Sequence, residues 1–139
     1  MGRSIGLDSS LFIYLLENNP DFADQAERIL SQVEQGMYRG IFANVGVIEV
    51  LTGAKKKHNL VLAAYYRYYL RTLPHLTTVN LNASIIELAS DLRATYNIAT
   101  PDAIHVATAI DQKADTFITN DAKLKKITEI EVKTLKDLN

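Results

Sequence analysis

Apolar positions along this chain follow two periods. Compact apolar runs cover residues 4–7, 40–43, 77–81 and 116–119, and an alternating run covers 130–135. Each reads as a short strand. Between them lie segments whose apolar residues recur at helical spacing: 11–16, about 21–35, a stretch starting near Val45 that carries Val47, Ile48, Val50 and Leu51, then 60–73, 83–96, and a last one opening at Thr100 with Ala103, Ile104, Val106, Ala107 and Ile110. Local signals mark the joints. Asp8-Ser9-Ser10 suits a strand-to-helix turn, Asn18, Asn19 and Pro20 break the first helix, and Gly36 suits the C-terminal cap of the second. Asn44 and Asn82 stand where N-caps belong. Thr100 offers an N-cap oxygen, and Pro101 suits the first helical position because its missing N–H would be unpaired there anyway; Asp102 then falls in the first turn and Lys113 in the last. Residues 122–126 predict one more helical turn, and the final strand is expected at a sheet edge. Short strands alternating with helices predict an α/β three-layer sandwich around a mostly parallel sheet of about five strands.

Length narrows this to one unit. With 139 residues and 47% hydrophobic side chains, the chain can build one substantial core, so residues 1–139 are expected to form a single domain. Cysteine is absent, which excludes disulfides, thiolate zinc sites and a cysteine nucleophile. The apolar runs are short and interrupted by Asn, Lys, Arg or Glu, so neither a membrane span nor a signal peptide is visible. A soluble, cytoplasmic protein is the expectation.

The chemistry lies in four acids. Asp8 and Asp121 stand at the carboxyl ends of predicted strands, Asp102 in a first helical turn, and Glu49 about one turn into an otherwise apolar helix. In an open parallel sheet, ligands gather outside the carboxyl ends of the strands. Each acid alone has an ordinary role open to it: a helix cap, a partner for a helix dipole, or a solvated face. Together they converge on one edge, and hard divalent cations take oxygen ligands of this kind. Net charge is −1, a poor match to nucleic-acid binding by bulk electrostatics, but with these four acids set aside the remainder carries +3.

Four stretches carry a family likeness: Leu7-Asp8-Ser9-Ser10-Leu11-Phe12, Val47-Ile48-Glu49-Val50-Leu51, Thr100-Pro101-Asp102-Ala103-Ile104-His105-Val106-Ala107, and Thr116-Phe117-Ile118-Thr119-Asn120-Asp121. In content and order they resemble the successive motifs of PIN domains, most closely the small VapC-type toxins of toxin–antitoxin pairs. The resemblance implies that Asp8, Glu49, Asp102 and Asp121 hold one or two Mg²⁺ or Mn²⁺ ions for hydrolysis of single-stranded RNA, making the chain an endoribonuclease, with Thr119, Asn120 and Ser9 as supporting ligands or substrate contacts. Asn44-Val45-Gly46 departs from the Ser or Thr that many relatives carry ahead of the glutamate. His105, one turn beyond Asp102, is read as a partly buried structural histidine, with a proton carrier facing the site as the other reading. Tyr65, Tyr66, Tyr68 and Tyr69, with Arg67 and Arg71, read as core and interface residues before RNA-stacking ones, and Lys55, Lys56 and Lys57 as a solvated link. The helices at 11–16, 22–33 and 60–73 carry more apolar surface than one sheet layer can bury, so a homodimer contact and an antitoxin groove are expected.

Other classes fit less well. There is no G-x-G-x-x-G for a dinucleotide and no G-x-x-x-x-G-K for a nucleoside triphosphate. The third strand ends in Asn80 and Leu81 where a phosphotransfer receiver needs an aspartate, and Ser10 stands where a haloacid-type phosphatase needs its second one. A stand-alone RNA-processing PIN ribonuclease and a non-catalytic PIN-like binding module are the alternatives; retention of all four acids speaks against the second.

Overall fold

The computed structural model describes residues 3–138. Strands β1 (Arg3–Leu7), β2 (Tyr38–Ala43), β3 (Leu76–Val79), β4 (Thr116–Thr119) and β5 (Glu131–Thr134) form one sheet in the order β3-β2-β1-β4-β5. Every neighbouring pair is parallel, so the sheet is wholly and not mostly so. The reason is that each connection is a crossover long enough to return the chain to the same end. Six helices supply the first three crossovers: α1 (Ser9–Leu16), α2 (Ala23–Glu34), α3 (Val45–Lys56), α4 (Leu60–Thr72), α5 (Ala83–Tyr96) and α6 (Thr100–Asp111). Short 3-10 turns follow β4 at Ala122–Lys126 and β5 at Leu135–Leu138.

The pleat divides the core. Ile118 of β4 joins Leu7, Phe12, Leu30, Phe42 and Val50 in the core beneath α1 to α4. Its neighbour Phe117 joins Ile85, Leu92, Val106 and Leu124 in the core beneath α5 and α6. A sheet with a helical layer on each face is the expected three-layer sandwich. Close approach of α6 to β1 depends on Gly6, because a Cβ there would lie 2.4 Å from Ala109 Cβ. No helix among the described residues is long and apolar enough to cross a membrane.

Several local expectations change. Helix α6 begins at Thr100 itself, with Ala99 as N-cap and no side-chain cap bond, so Pro101 is the second helical residue and not the first. First-turn N–H groups need no intrahelical partner, which makes either position acceptable to proline. Asn44 has helical φ and ψ and caps nothing; its amide instead donates to Asn80 Oδ1. Lys113 lies beyond the end of α6 with φ of 60°, and its N–H and that of Ala114 bond back to Ile110 O and Ala109 O. This is the same closure that Gly36 and Met37 make onto Val33 and Gln32 at the end of α2. Lys55 and Lys56 belong to the last turn of α3, where they complement its dipole, so the basic link is shorter than expected. β3 and β5 are the two edges, each a little shorter than or offset from the predicted run.

Candidate active site

Asp8 directly follows β1, and β4 pairs with β1 through Leu7 and Ile118. That register puts Thr119 beside Asp8. Thr119 is fully buried, and its hydroxyl donates to Asp8 Oδ2 at 2.6 Å while accepting the N–H of Asp121 at 3.1 Å. One threonine thus ties the two strand-end acids together. Ser9, also buried, donates to Asp8 Oδ1 at 3.4 Å. Asp8 occupies the N-cap position of α1 but makes no side-chain cap bond, so its carboxylate is held by hydroxyls at the edge and not by the helix. Asp121 does serve as a cap, accepting the Lys123 N–H at Oδ1 over 3.0 Å. Asn120 donates to the Tyr14 hydroxyl at 3.0 Å, and the Tyr14 ring packs 4.9 Å from Phe22.

Glu49 approaches from α3. Its Oε1 lies 2.7 Å from His105 Nε2, and His105 itself is only 3% exposed. The imidazole stacks on Phe42 at 5.8 Å and 23°. Gly46 makes room for both rings: a Cβ there would come 2.7 Å from His105 Cε1 and 2.4 Å from Phe42 Cζ. His105 is therefore buried, as expected of a structural histidine, yet it also touches the site through Glu49. Spacing along α6 placed it one turn from Asp102, but nothing in the local sequence pairs it with a residue on another helix. Tyr14 was likewise invisible, since a tyrosine in an apolar helix reads as core.

The electrostatics of the edge are uneven. Burial raises the Asp102 carboxyl above its ordinary range; Asp8 and Asp121, then Glu49, add like-charge repulsion, and only His105 opposes them. Glu49 moves the other way, lowered first by the hydrogen bond from His105, against the opposing effect of burial, with help from the His105 charge and the Ser9 hydroxyl. The four predicted acids are therefore within electrostatic reach of one another, and all are partly buried. They do not form a closed cage: among the described residues no group of three or more His, Asp or Glu side chains stands ready to hold a metal ion. The donor set nevertheless fits a hard divalent cation. Mg²⁺ keeps several waters and takes only one or two carboxylates directly, so a spread of half-buried oxygens suits it.

The tyrosines divide. Tyr66 is buried and donates to Leu16 O at 3.2 Å. Tyr69 meets Phe12 edge-on at 6.5 Å, and burial, aided by Glu34, Tyr65 and Glu27, pushes its phenol up to about 12. Tyr65 and Tyr68 are exposed, together with Leu60 and Val61 of the same helix and Ile48 of α3.

An all-parallel α/β sheet with acids gathered at its carboxyl edge defines a narrow class. The PIN domain model matches residues 5–130, and the chain belongs to the PIN domain family. Among solved structures, it resembles VapBC2 from Rickettsia felis bound to a promoter DNA fragment, at TM-score 0.76 and 18% identity, covering 94% of this chain and 98% of that one. A toxin–antitoxin complex from Klebsiella pneumoniae matches at 0.73 and 24% identity, over 95% and 97% of the two chains. VapC20 from Mycobacterium tuberculosis, described as a sarcin–ricin loop cleaving toxin, matches at 0.70 and 15% identity, over 91% and 98%. No curated protein sequence matches the chain.

Proposed function

We propose that this chain is a divalent-metal-dependent endoribonuclease acting on single-stranded RNA, working in the cytoplasm as the toxin of a two-component toxin–antitoxin pair, with residues 1–139 as one domain. The observation that carries this reading is the gathering of Asp8, Glu49, Asp102 and Asp121 at one edge, with Asp102 raised by burial and by its acidic neighbours. Like charges held together without a compensating cation are costly unless a cation is to be bound there. Asp8, Asp102 and Asp121 would hold Mg²⁺ or Mn²⁺, with Glu49 as the fourth acid. A bound divalent ion supplies Lewis acidity, a water of lowered pKa and charge stabilisation at the transferring phosphoryl group.

The chain's own residues have separable tasks. Thr119 and Ser9 fix the Asp8 carboxylate, Thr119 sets the spacing between Asp8 and Asp121, and Asn120 is steadied by Tyr14 at the rim. Glu49, held ionised by its histidine, would orient the attacking water or the ion. The exposed apolar face of Leu60, Val61, Tyr65 and Tyr68 supports an antitoxin groove and self-association, since contiguous apolar patches on soluble proteins mark interaction sites. The solved neighbour described as a toxin–antitoxin complex supports the same partner class.

The test is cleavage of single-stranded RNA by purified protein. Activity should stop with EDTA and return with Mg²⁺ or Mn²⁺, and Asp102→Asn should lower it by about 10²-fold or more, the scale seen when one preorganised stabiliser of developing charge is removed. Equal cleavage in EDTA, or full activity in Asp102→Asn, would overturn the proposal.

A further inference from the structure

We propose that His105 is a positioning residue for the acidic edge, holding one oxygen of Glu49 so that the other is presented to the ion and substrate. This rests on the metal-nuclease reading of the edge.

A glutamate side chain that is 37% exposed ordinarily samples several rotamers, and fixing one costs conformational entropy. Here the carboxylate meets a ring that cannot move. His105 is 3% exposed, stacks on Phe42, and occupies space that exists only because Gly46 lacks a Cβ. The contact of 2.7 Å is in the range of charge-assisted hydrogen bonds, the kind able to hold a flexible acid.

The far side of the ring shows which nitrogen donates. Nδ1 is buried and has no hydrogen-bond partner among the described residues. A proton on Nδ1 would be an orphaned buried donor, whereas a proton on Nε2 points at a carboxylate. Of the two tautomers only Nε2–H leaves no orphaned donor, and it directs its N–H to Glu49. A histidine kept only to fill the core would not need this arrangement; a leucine or phenylalanine would fill the space and leave no orphan. Retaining a polar ring with one unsatisfied atom is explained if the Glu49 contact is what matters. Gly46 is what admits this histidine from α6 to hold the glutamate on α3.

Groups that orient a metal ligand from behind typically change metal affinity or activity by about 10–100-fold when removed. Isothermal titration with Mn²⁺, with RNA cleavage alongside, separates the roles. His105→Leu should bind Mn²⁺ about 10–100-fold more weakly and lose kcat more than KM. His105→Gln, which restores an N–H near the Nε2 position, should recover most of the affinity. Wild-type Mn²⁺ affinity and kcat in a folded His105→Leu would overturn the inference while leaving the nuclease reading standing. Absence of Mn²⁺ binding by the wild type would overturn both. Imidazole ¹⁵N chemical shifts of the metal-free wild type need no variant to fold: they should report the Nε2–H tautomer, and an Nδ1–H tautomer would refute the proposed bond.

Discussion

Asp102 and Asp137 show what the same side chain does in two parts of one small fold. Asp137, just after β5, accepts Lys125 Nζ at 2.8 Å and the N–H and hydroxyl of Thr134 at 2.9 and 3.1 Å. Lys125 foremost, then the Thr134 backbone, holds its carboxyl at about 2. Asp102 has three acids for neighbours and is displaced upward by burial and by their charge. Lysines are not scarce nearby: Lys123, Lys125 and Lys126 lie on the turn that Asp121 caps. Yet among the described residues no Lys or Arg is ion-paired with Asp8, Glu49, Asp102 or Asp121. The fold uses one of these lysines as a fastener between two turns and sets none against the acidic edge, where the one basic side chain within ion-pair distance among the described residues is His105, on Glu49.

Substitutions on the two sides should separate most sharply in catalysis. Asp8→Asn and Asp121→Asn should each reduce cleavage of single-stranded RNA by about 10²-fold or more, with Glu49→Gln similar or somewhat milder. Asp137→Asn should leave the rate close to wild type, and so should Lys56→Ala, which sits at the far end of α3. A comparable loss in Asp137→Asn would show that the catalytic readout reflects general loosening and not the acidic edge.

Stability should separate them next, and with opposite signs. Because burial and its acidic neighbours raise the folded Asp102 carboxyl above its ordinary range, the folded state binds the proton more tightly than the unfolded one. Its unfavourable contribution is then absent below the unfolded value and grows as pH rises through the raised one. In EDTA at neutral pH, Asp102→Asn should therefore melt higher than wild type by a few degrees. Saturating Mn²⁺ should invert the order, since an ion at a hundred times its dissociation constant adds about 2.7 kcal/mol to the state that binds it. Melting curves in EDTA and in Mn²⁺ check both halves, and an Asp102→Asn protein less stable than wild type in EDTA would contradict the repulsion.

The smallest effect belongs to the fastener. The depressed Asp137 contributes stability that is present above pH 3.8 and is lost as pH falls towards about 2. Lys125→Ala should lower the melting temperature slightly at neutral pH, as exposed ion pairs do, and the difference should vanish near pH 2. A difference that persisted there would mean Lys125 acts through packing.

Much of this was legible in the chain. Periodicity found the strands and helices because the sheet is buried on both faces and each helix has one apolar side. Gly36 announced the end of α2, whereas Lys113 makes the same left-handed closure with no residue signal to mark it. Asp8 and Asp121 were legible beyond strand ends, Asp102 in a first helical turn and Glu49 about one turn into its helix. The Glu49–His105 bond was not, because it joins residues 56 apart on different helices and depends on space left by Gly46. Nor was the distribution of spare apolar surface. Three helices were expected to share it, but α1 and α2 bury Leu11, Phe12, Ala26 and Leu30, and of the three it is α4 that exposes large apolar residues, at Leu60, Val61, Tyr65 and Tyr68.

If the acidic edge is a divalent-cation site, calorimetric titration of Mn²⁺ into metal-free protein will register it. Wild type should show saturable binding, Asp137→Asn the same binding, and Asp102→Asn little or none. Saturable binding of equal affinity in Asp102→Asn, or none in the wild type, would contradict the account.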